Sequence, residues 1–310
     1  MKPYYQDDSC TLYNGDCLNT LKNLPSESIN CTITSPPYWA LRDYGVEGQL
    51  GLEPTFDEYI DKLCDIFDEV KRVLRKDGTC WVVIGDTYAS GGGLHVEQSV
   101  KRQSAIDTGA YPDNPPNSKI RKDMGKSLIM IPFRFAIEMV NRGWILRNTI
   151  IWHKPNCMPA SVDDRFTVDF EYVFFFVKNK KYWFEQQLME TLTRDNSNRN
   201  RDITKLNNTP GRSRMAGLKT NNYEYKNKRT VWKVNTKPYK EAHFAVFPKE
   251  LIDTPLKAGC PKGGIVLDPF LGSGTTARAC KDLGRKCIGI EISKEYCDIA
   301  VKSLAQEVLF

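Results

Sequence analysis

The run Ser35-Pro36-Pro37-Tyr38-Trp39 sets a hydroxyl, two prolines and two aromatic rings directly after the strand expected over Ile29 to Thr34. Two consecutive prolines fix φ and lack N–H donors, so the chain must turn here, and the carbonyls of Ser35 and Pro36 are left to accept hydrogen bonds. The Ser35 hydroxyl adds another acceptor, and the Tyr38 ring offers a stacking face to a planar base taken out of a duplex. Taken alone, the run reads more simply as a strand-end turn with an aromatic plug, which needs no catalytic role.

A second run, from Gly264 to Thr276, reads as a buried strand ending in Asp268, a turn through Phe270, Gly272, Ser273 and Gly274, and a helix start at Thr275 and Thr276. Glycines allow such a turn and let a ligand approach backbone N–H groups closely. Any α/β protein could use it, and Gly272-x-Gly274-x-x-Ala277 also meets the loose dinucleotide pattern. A further strand ends in Glu291, placed to accept from both hydroxyls of a ribose, which favours an adenosine-containing cofactor over a structural turn. Asp268 in front of the loop disfavours a pyrophosphate and suits a ligand with an ammonium group, such as S-adenosylmethionine. No Gly-Lys-Ser/Thr follows that would mark a nucleoside triphosphatase.

Short β-branched runs alternate with longer segments of helical period, the pattern of a mostly parallel sheet covered by helices. Strands are expected near Thr11 to Tyr13, Ile29 to Thr34, Thr79 to Ile84, Ile145 to Trp152, Glu171 to Val177, Ile265 to Asp268 and Lys286 to Ile290. Helices should follow Asp16, Thr55, Pro132, Gly274 and Ser293. The clearest starts at a Thr55/Glu58 capping box, buries Ile60, Leu63, Phe67, Val70 and Leu74, and should stop at Gly78. Two stretches break the pattern. Residues 86–126 read as a long loop that could close over a substrate, and residues 185–240 read as a separate small module between a catalytic half (1–184) and a cofactor-binding half (241–310).

The 310 residues are 41% hydrophobic and 26% charged, which excludes a mainly disordered chain. No apolar run approaches the roughly 20 residues of a membrane span, and the first residues lack a signal-peptide core, so a cytoplasmic protein without membrane partners is expected. Ten cysteines without a Cys-x-x-Cys pair, and only three histidines, indicate neither a metal site nor a disulfide framework. The net charge of +6 is uneven: Lys178 to Lys240 holds 16 Lys and Arg against 5 Asp and Glu, or +11, leaving −5 elsewhere. Such asymmetry suits a polyanion met through one module. Within it, Arg212 and Arg214 are candidates for base contacts, Lys226, Lys228 and Lys233 for phosphate contacts, and Arg229 is a further DNA-binding candidate.

Together these runs resemble the amino methyltransferases of DNA, whose catalytic motif is Asp/Asn/Ser-Pro-Pro-Tyr/Phe/Trp and whose cofactor motif is Asp-Pro-Phe-x-Gly-x-Gly-Thr. The catalytic motif comes first and the cofactor motif last, with the basic segment between, an order similar to the circularly permuted beta class. Gly15-Asp16, Ile151 to Pro159 and His243 to Pro248 extend the resemblance over nearly the whole chain. It implies a Rossmann-like α/β methyltransferase fold with helices on both sheet faces and a small DNA-recognition module. It also implies that Asp268, residues 270–276, Glu291, Phe247 and Asp16 hold S-adenosylmethionine without a metal, while Ser35, Pro36, Pro37 and Tyr38 hold a flipped base. The substrate would be double-stranded DNA in a prokaryotic or phage setting. A cognate restriction endonuclease and a second copy of the chain are the candidate protein partners.

Thr34-Ser35-Pro36-Pro37-Tyr38-Trp39 is similar to N4-cytosine enzymes, whereas an initial Asp is commoner in N6-adenine enzymes, so cytosine is favoured and adenine stays open. Cytosine carbon-5 chemistry would need a thiolate beside a proline, and the chain has no Pro-Cys dipeptide. Two readings from other classes also stay open. A nicotinamide-dependent oxidoreductase leaves Ser35 to Trp39 unexplained, and a catalytically idle nucleic-acid-binding protein leaves the intact motifs unexplained.

Overall fold

The computed structural model describes residues 1–41, 43–89, 124–190, 225–236 and 247–305. The expected closing role of the long loop falls mostly on residues 90–123, and Arg212 and Arg214 fall within 191–224; both lie outside the described residues. The elements are β1 (Tyr5–Gln6), β2 (Cys10–Asn14), α1 (Cys17–Lys22), β3 (Ile29–Thr34), α2 (Phe56–Val73), β4 (Leu74–Ile84), α3 (Ile131–Asn141), β5 (Ile145–His153), β6 (Phe170–Val177), β7 (Leu188–Glu190), β8 (Tyr225–Asn227), β9 (Val231–Lys233), α4 (Lys249–Gly259), β10 (Ile265–Asp268), α5 (Thr275–Asp282), β11 (Lys286–Glu291) and α6 (Lys294–Ala305).

Nine strands form one sheet in the order β1-β2-β11-β10-β3-β4-β6-β5-β9. From β2 to β4 all neighbours are parallel, β6 runs antiparallel to β4 and β5, and β9 is parallel to β5. Parallel strands covered on both faces bury nearly every side chain, as β3 does. Alternation along β4 and β6 sends Cys80, Val82, Phe174 and Phe176 into the layer under α1, α2 and α3, and Trp81, Val83, Val173 and Phe175 into the layer under α4, α5 and α6. Trp81 stacks on its cross-strand partner Phe175 with ring centroids 3.9 Å apart. This is a Rossmann-like architecture, a mostly parallel sheet with helices on both faces.

Helix α2 begins as expected, with Thr55 Oγ1 accepting the Glu58 N–H at 3.2 Å, and buries one face from Phe56 to Val73. Its end differs from expectation. The chain leaves α2 at Leu74 because Leu74 already pairs with Ile29 in the sheet, and Gly78 lies inside β4. There a Cβ would come within 2.6 Å of the Leu74 side chain, so Gly78 serves packing and does not stop a helix. Helix α4 has no clear counterpart in the sequence pattern, because Pro255 inside it breaks the signal; in the fold Pro255 is among the helix's buried residues.

The chain divides into Met1–Glu185 with Thr230–Phe310, and Gln186–Arg229. In the smaller unit β7 and β8 pair antiparallel, Met189 opposite Lys226, and the Lys228 N–H donates to Gln187 O at 2.9 Å. Lys226, Lys228 and Arg229 belong to this unit. Lys233, expected in the same module, does not: it sits in β9 at the edge of the large sheet, where Trp232 is buried opposite Trp152. A β-branched–aromatic triplet beside a strand edge gains more by pairing there than by staying in a polar module. The stem of the long loop is closed by backbone bonds between Ala89 and Ser127 (2.8 Å) and between Lys126 and Ala89 (3.1 Å).

Candidate active site

The ends of β2, β3, β10 and β11 open on one cavity of about 1130 Å³ in the larger unit. Open parallel sheets present their ligand sites at this carboxyl edge of the strands. Gly15 and Asp16 come from β2, Ser35 to Tyr38 from β3, Pro269 to Ser273 from β10, and Glu291 with Ile292 from β11. Each follows a strand fixed on both sides by backbone ladders, so the walls are held by the sheet itself.

Around the glycine loop the structure separates two kinds of residue that the sequence placed together. Asp16, Phe247, Phe270, Gly272, Ser273, Thr275 and Glu291 line the cavity. Asp268, Gly274 and Thr276, expected at the cofactor, do not. The Asp268 carboxylate is fully buried and accepts from the Thr34 hydroxyl (2.6 Å), the Thr276 hydroxyl (2.6 Å) and the Phe270 N–H (3.1 Å). Burial pushes its carboxyl up to about 6 against those three bonds. It therefore braces the loop from behind. Gly274 has φ +89°, and a Cβ on it would meet the Cβ of Ala300 at 2.9 Å, so glycine is required there for packing on α6.

Glu291 is a wall residue with a second role. Its Oε2 accepts the Gly272 N–H and its Oε1 the Ser293 N–H, each at 2.8 Å, so the carboxylate also fixes the glycine turn. Burial raises its carboxyl above the usual range while these two N–H groups oppose the shift. Asp16 caps α1 by accepting the Asn19 N–H at 2.8 Å. The wall suits S-adenosylmethionine: carboxylates at Asp16 and Glu291, the rings of Phe247 and Phe270, and the Ser273 hydroxyl, which is buried and without a hydrogen-bond partner among the described residues. An orphaned buried hydroxyl beside a cavity is an acceptor and donor waiting for a ligand.

At the catalytic turn all four expected residues line the cavity. The Pro37 carbonyl is engaged by the Tyr59 hydroxyl at 2.8 Å, which ties the turn to α2. Trp39 points away, buried, its indole N–H donating to Glu53 O at 3.0 Å. The Tyr38 ring packs on Gly85, where a Cβ would stand 2.7 Å from the ring. Its hydroxyl donates to Glu171 Oε2 at 2.7 Å, and the other oxygen of Glu171 accepts from Lys154 Nζ. Burial and the Glu171 charge raise the Tyr38 hydroxyl well above its ordinary range, keeping it a donor. Lys154 and Glu171 both line the cavity, and neither stands out in the sequence as a site residue. The signal available for the lysine is the Trp152-His153-Lys154-Pro155-Asn156 run.

Comparison with known proteins agrees with this geometry. The family model N6_N4_Mtase, described as DNA methylase, matches residues 29–302. The chain is 41% identical over 292 residues to the type II methyltransferase M.SmaI of Serratia marcescens, covering 94% of this chain and 89% of that protein. It is likewise 41% identical over 300 residues to M.Cfr9I of Citrobacter freundii, covering 97% and 89%. The cytosine-N4-specific PvuII DNA methyltransferase shares the fold, with a TM-score of 0.66 and 20% identity over 100% of this chain and 91% of that one. A Thermus thermophilus protein solved in complex with S-adenosyl-L-methionine also shares it, with a TM-score of 0.57 and 22% identity over 96% and 94%. The chain belongs to the N6_N4_Mtase family of DNA methylases and is an S-adenosylmethionine-dependent methyltransferase of the cytosine-N4 or adenine-N6 type.

Proposed function

We propose that the protein methylates the N4 amine of cytosine in double-stranded DNA. The observation that carries this reading is Ser35, not Asp, at the head of a Pro-Pro-Tyr-Trp turn lining the same cavity as the glycine loop. Bound S-adenosylmethionine supplies a methyl group made reactive by its sulfonium. Asp16, Phe247, Phe270, Ser273 and Glu291 hold that cofactor, while Asp268, Gly274 and Thr276 keep the loop in shape.

The turn acts on the amine. A base amine donates its lone pair into the ring and is a poor nucleophile while planar. The Ser35 hydroxyl and the Pro36 carbonyl accept its two hydrogens and draw the nitrogen toward a tetrahedral form. The Pro37 carbonyl accepts from the Tyr59 hydroxyl, which anchors the turn that presents Ser35 and Pro36. The Tyr38 ring stacks on the extruded base, and its position against Gly85 is fixed before the base arrives, so orientation supplies much of the rate.

The basic segment around Gln186–Arg229 selects the DNA sequence through Arg212 and Arg214 and meets phosphate through Lys226, Lys228 and Arg229. The setting is a prokaryotic cytoplasm, with a cognate restriction endonuclease and a homodimer as protein partners. Incubating unmethylated DNA with the protein and labelled cofactor, then identifying the modified nucleoside by mass spectrometry, tests the base choice. N4-Methylcytosine is expected. N6-Methyladenine overturns the choice of base, and an unmodified digest overturns the activity.

A further inference from the structure

Lys154 follows β5, and Glu171 lies in β6 opposite Trp152. Each of the two charged side chains is 19% exposed, and both form part of the cavity wall. A half-buried ion pair contributes little net stability, because desolvation offsets most of the attraction, and an apolar pair would serve the sheet as well. This pair is also shared with the catalytic turn. One Glu171 oxygen accepts from Lys154 and the other from the Tyr38 hydroxyl, so Lys154 and the ring expected to stack on the base are held by one carboxylate. The Trp152 ring, its centroid 4.5 Å from Lys154 Nζ, supports the ammonium from a second side.

An ammonium carries three donors, and the bond to Glu171 uses one. A base whose amine is held at Ser35 and Pro36 presents an acceptor next along its ring edge: N3 in cytosine, N1 in adenine. That lone pair loses its partner when the base leaves the duplex, and a buried acceptor without a donor is costly. The other lysine of the wall, Lys62, pairs at 3.4 Å with Glu53, whose second carboxylate oxygen accepts the Gly51 N–H and not the Tyr38 hydroxyl.

We propose that Lys154 donates a hydrogen bond to the ring nitrogen beside the target amine, with Glu171 holding Lys154 and Tyr38 in the fixed relation that the extruded base requires. This rests on the base docking at Ser35 to Tyr38. It also gives the site a means of rejection. Thymine and guanine carry N–H at the corresponding edge position, so a fixed cation there would set donor against donor.

A cycle between protein and base isolates the bond. Duplexes carrying cytosine or 3-deazacytosine at the target position are methylated by the native protein and by Lys154→Met, with retained S-adenosylhomocysteine affinity as the check on folding. The native protein is expected to prefer cytosine by about 10- to 100-fold, the range for a hydrogen bond to a charged group. In Lys154→Met cytosine slows by a similar factor and the preference collapses toward one. The intrinsic difference between the two amines cancels in the ratio of preferences. Lys154→Arg, which keeps a donor, should retain most of the preference and serves if the Met variant does not fold. A preference left unchanged in Lys154→Met overturns the proposal, whatever its native size. If the methylated base is adenine, only the cytosine reading fails, and the same cycle with 1-deazaadenine, which lacks N1, decides the role of Lys154.

Discussion

The Thr34 hydroxyl donates to Asp268 Oδ1 at 2.6 Å across 234 positions of sequence, joining the last residue before the catalytic turn to the carboxylate that braces the cofactor loop. The two halves of the site are thus fixed to each other by a buried hydrogen bond as well as by the sheet.

That carboxylate predicts a pH dependence with a definite sign. Its folded value of about 6 lies above the ordinary value of 3.8, so the folded state binds the proton more tightly. The contribution from this group is present in full below pH about 4 and is lost as pH rises through about 6. The difference in unfolding free energy between the native protein and Asp268→Asn should therefore fall between about pH 4.5 and 7 in urea titrations. A difference that rises or stays level over that range would contradict the assignment.

Glu291→Ala removes the acceptors of the Gly272 and Ser293 N–H groups together with the carboxylate proposed to hold the cofactor. Affinity for S-adenosylmethionine should weaken about 10- to 100-fold, from roughly 1.5–3 kcal/mol for bonds to a charged group. Calorimetry measures it directly. Tyr38→Ala should show the opposite signature, with methyl transfer lost and cofactor affinity kept; loss of both would give Tyr38 a purely structural role.

No cysteine should act as a nucleophile. Cys31, nearest the turn in sequence, is wholly buried and absent from the cavity wall, and burial holds its thiol well above the usual range. Cys17 and Cys157 do reach the wall. The Cys17 thiol is pushed up to about 12, chiefly by burial, and so stays a thiol. Cys17→Ser and Cys157→Ser should both retain turnover, and DNA bearing 5-fluorocytosine should leave no covalent adduct on a denaturing gel.

Replacing Lys226 and Lys228 with Ala should weaken binding to all DNA sequences alike and lower the slope of log affinity against log salt by about 0.9 for each phosphate no longer neutralised. Exchanging residues 186–229 for those of a relative should move the set of methylated genomic sites. An unchanged salt slope and unchanged sites would make this segment a solvated loop.

Much of the framework could be read from sequence because it depends on local chemistry. β10 opens on a continuous apolar run, β3 alternates Ile29, Cys31 and Ile33 with polar residues, Thr55 and Glu58 spell out a helix start, and the glycines around Ser273 demand a turn. What escaped depends on distant partners. Asp268 reads as a ligand carboxylate until Thr34 and Thr276 are seen to surround it. Glu171 lies 133 positions from Tyr38, and nothing in either neighbourhood announces their bond. Helix α4 is hidden by Pro255; the alternation from Thr230 to Val234 is legible in the sequence, but only its pairing with β5 shows that it belongs to the large sheet and not to the basic module.

The strand order also dictates when the enzyme can exist. β3 lies between β4, which follows soon after it, and β10, which comes near the end of the chain, while β11 fills the gap between β10 and β2. During synthesis the early strands must wait with open parallel edges until the late ones emerge, since pairing across such a separation closes a very long loop. A nascent chain stopped before β10 lacks the glycine loop and also the neighbour that holds the catalytic turn. Activity should therefore appear abruptly once the last strands are made, and a ribosome-stalled series would show no partly active intermediate.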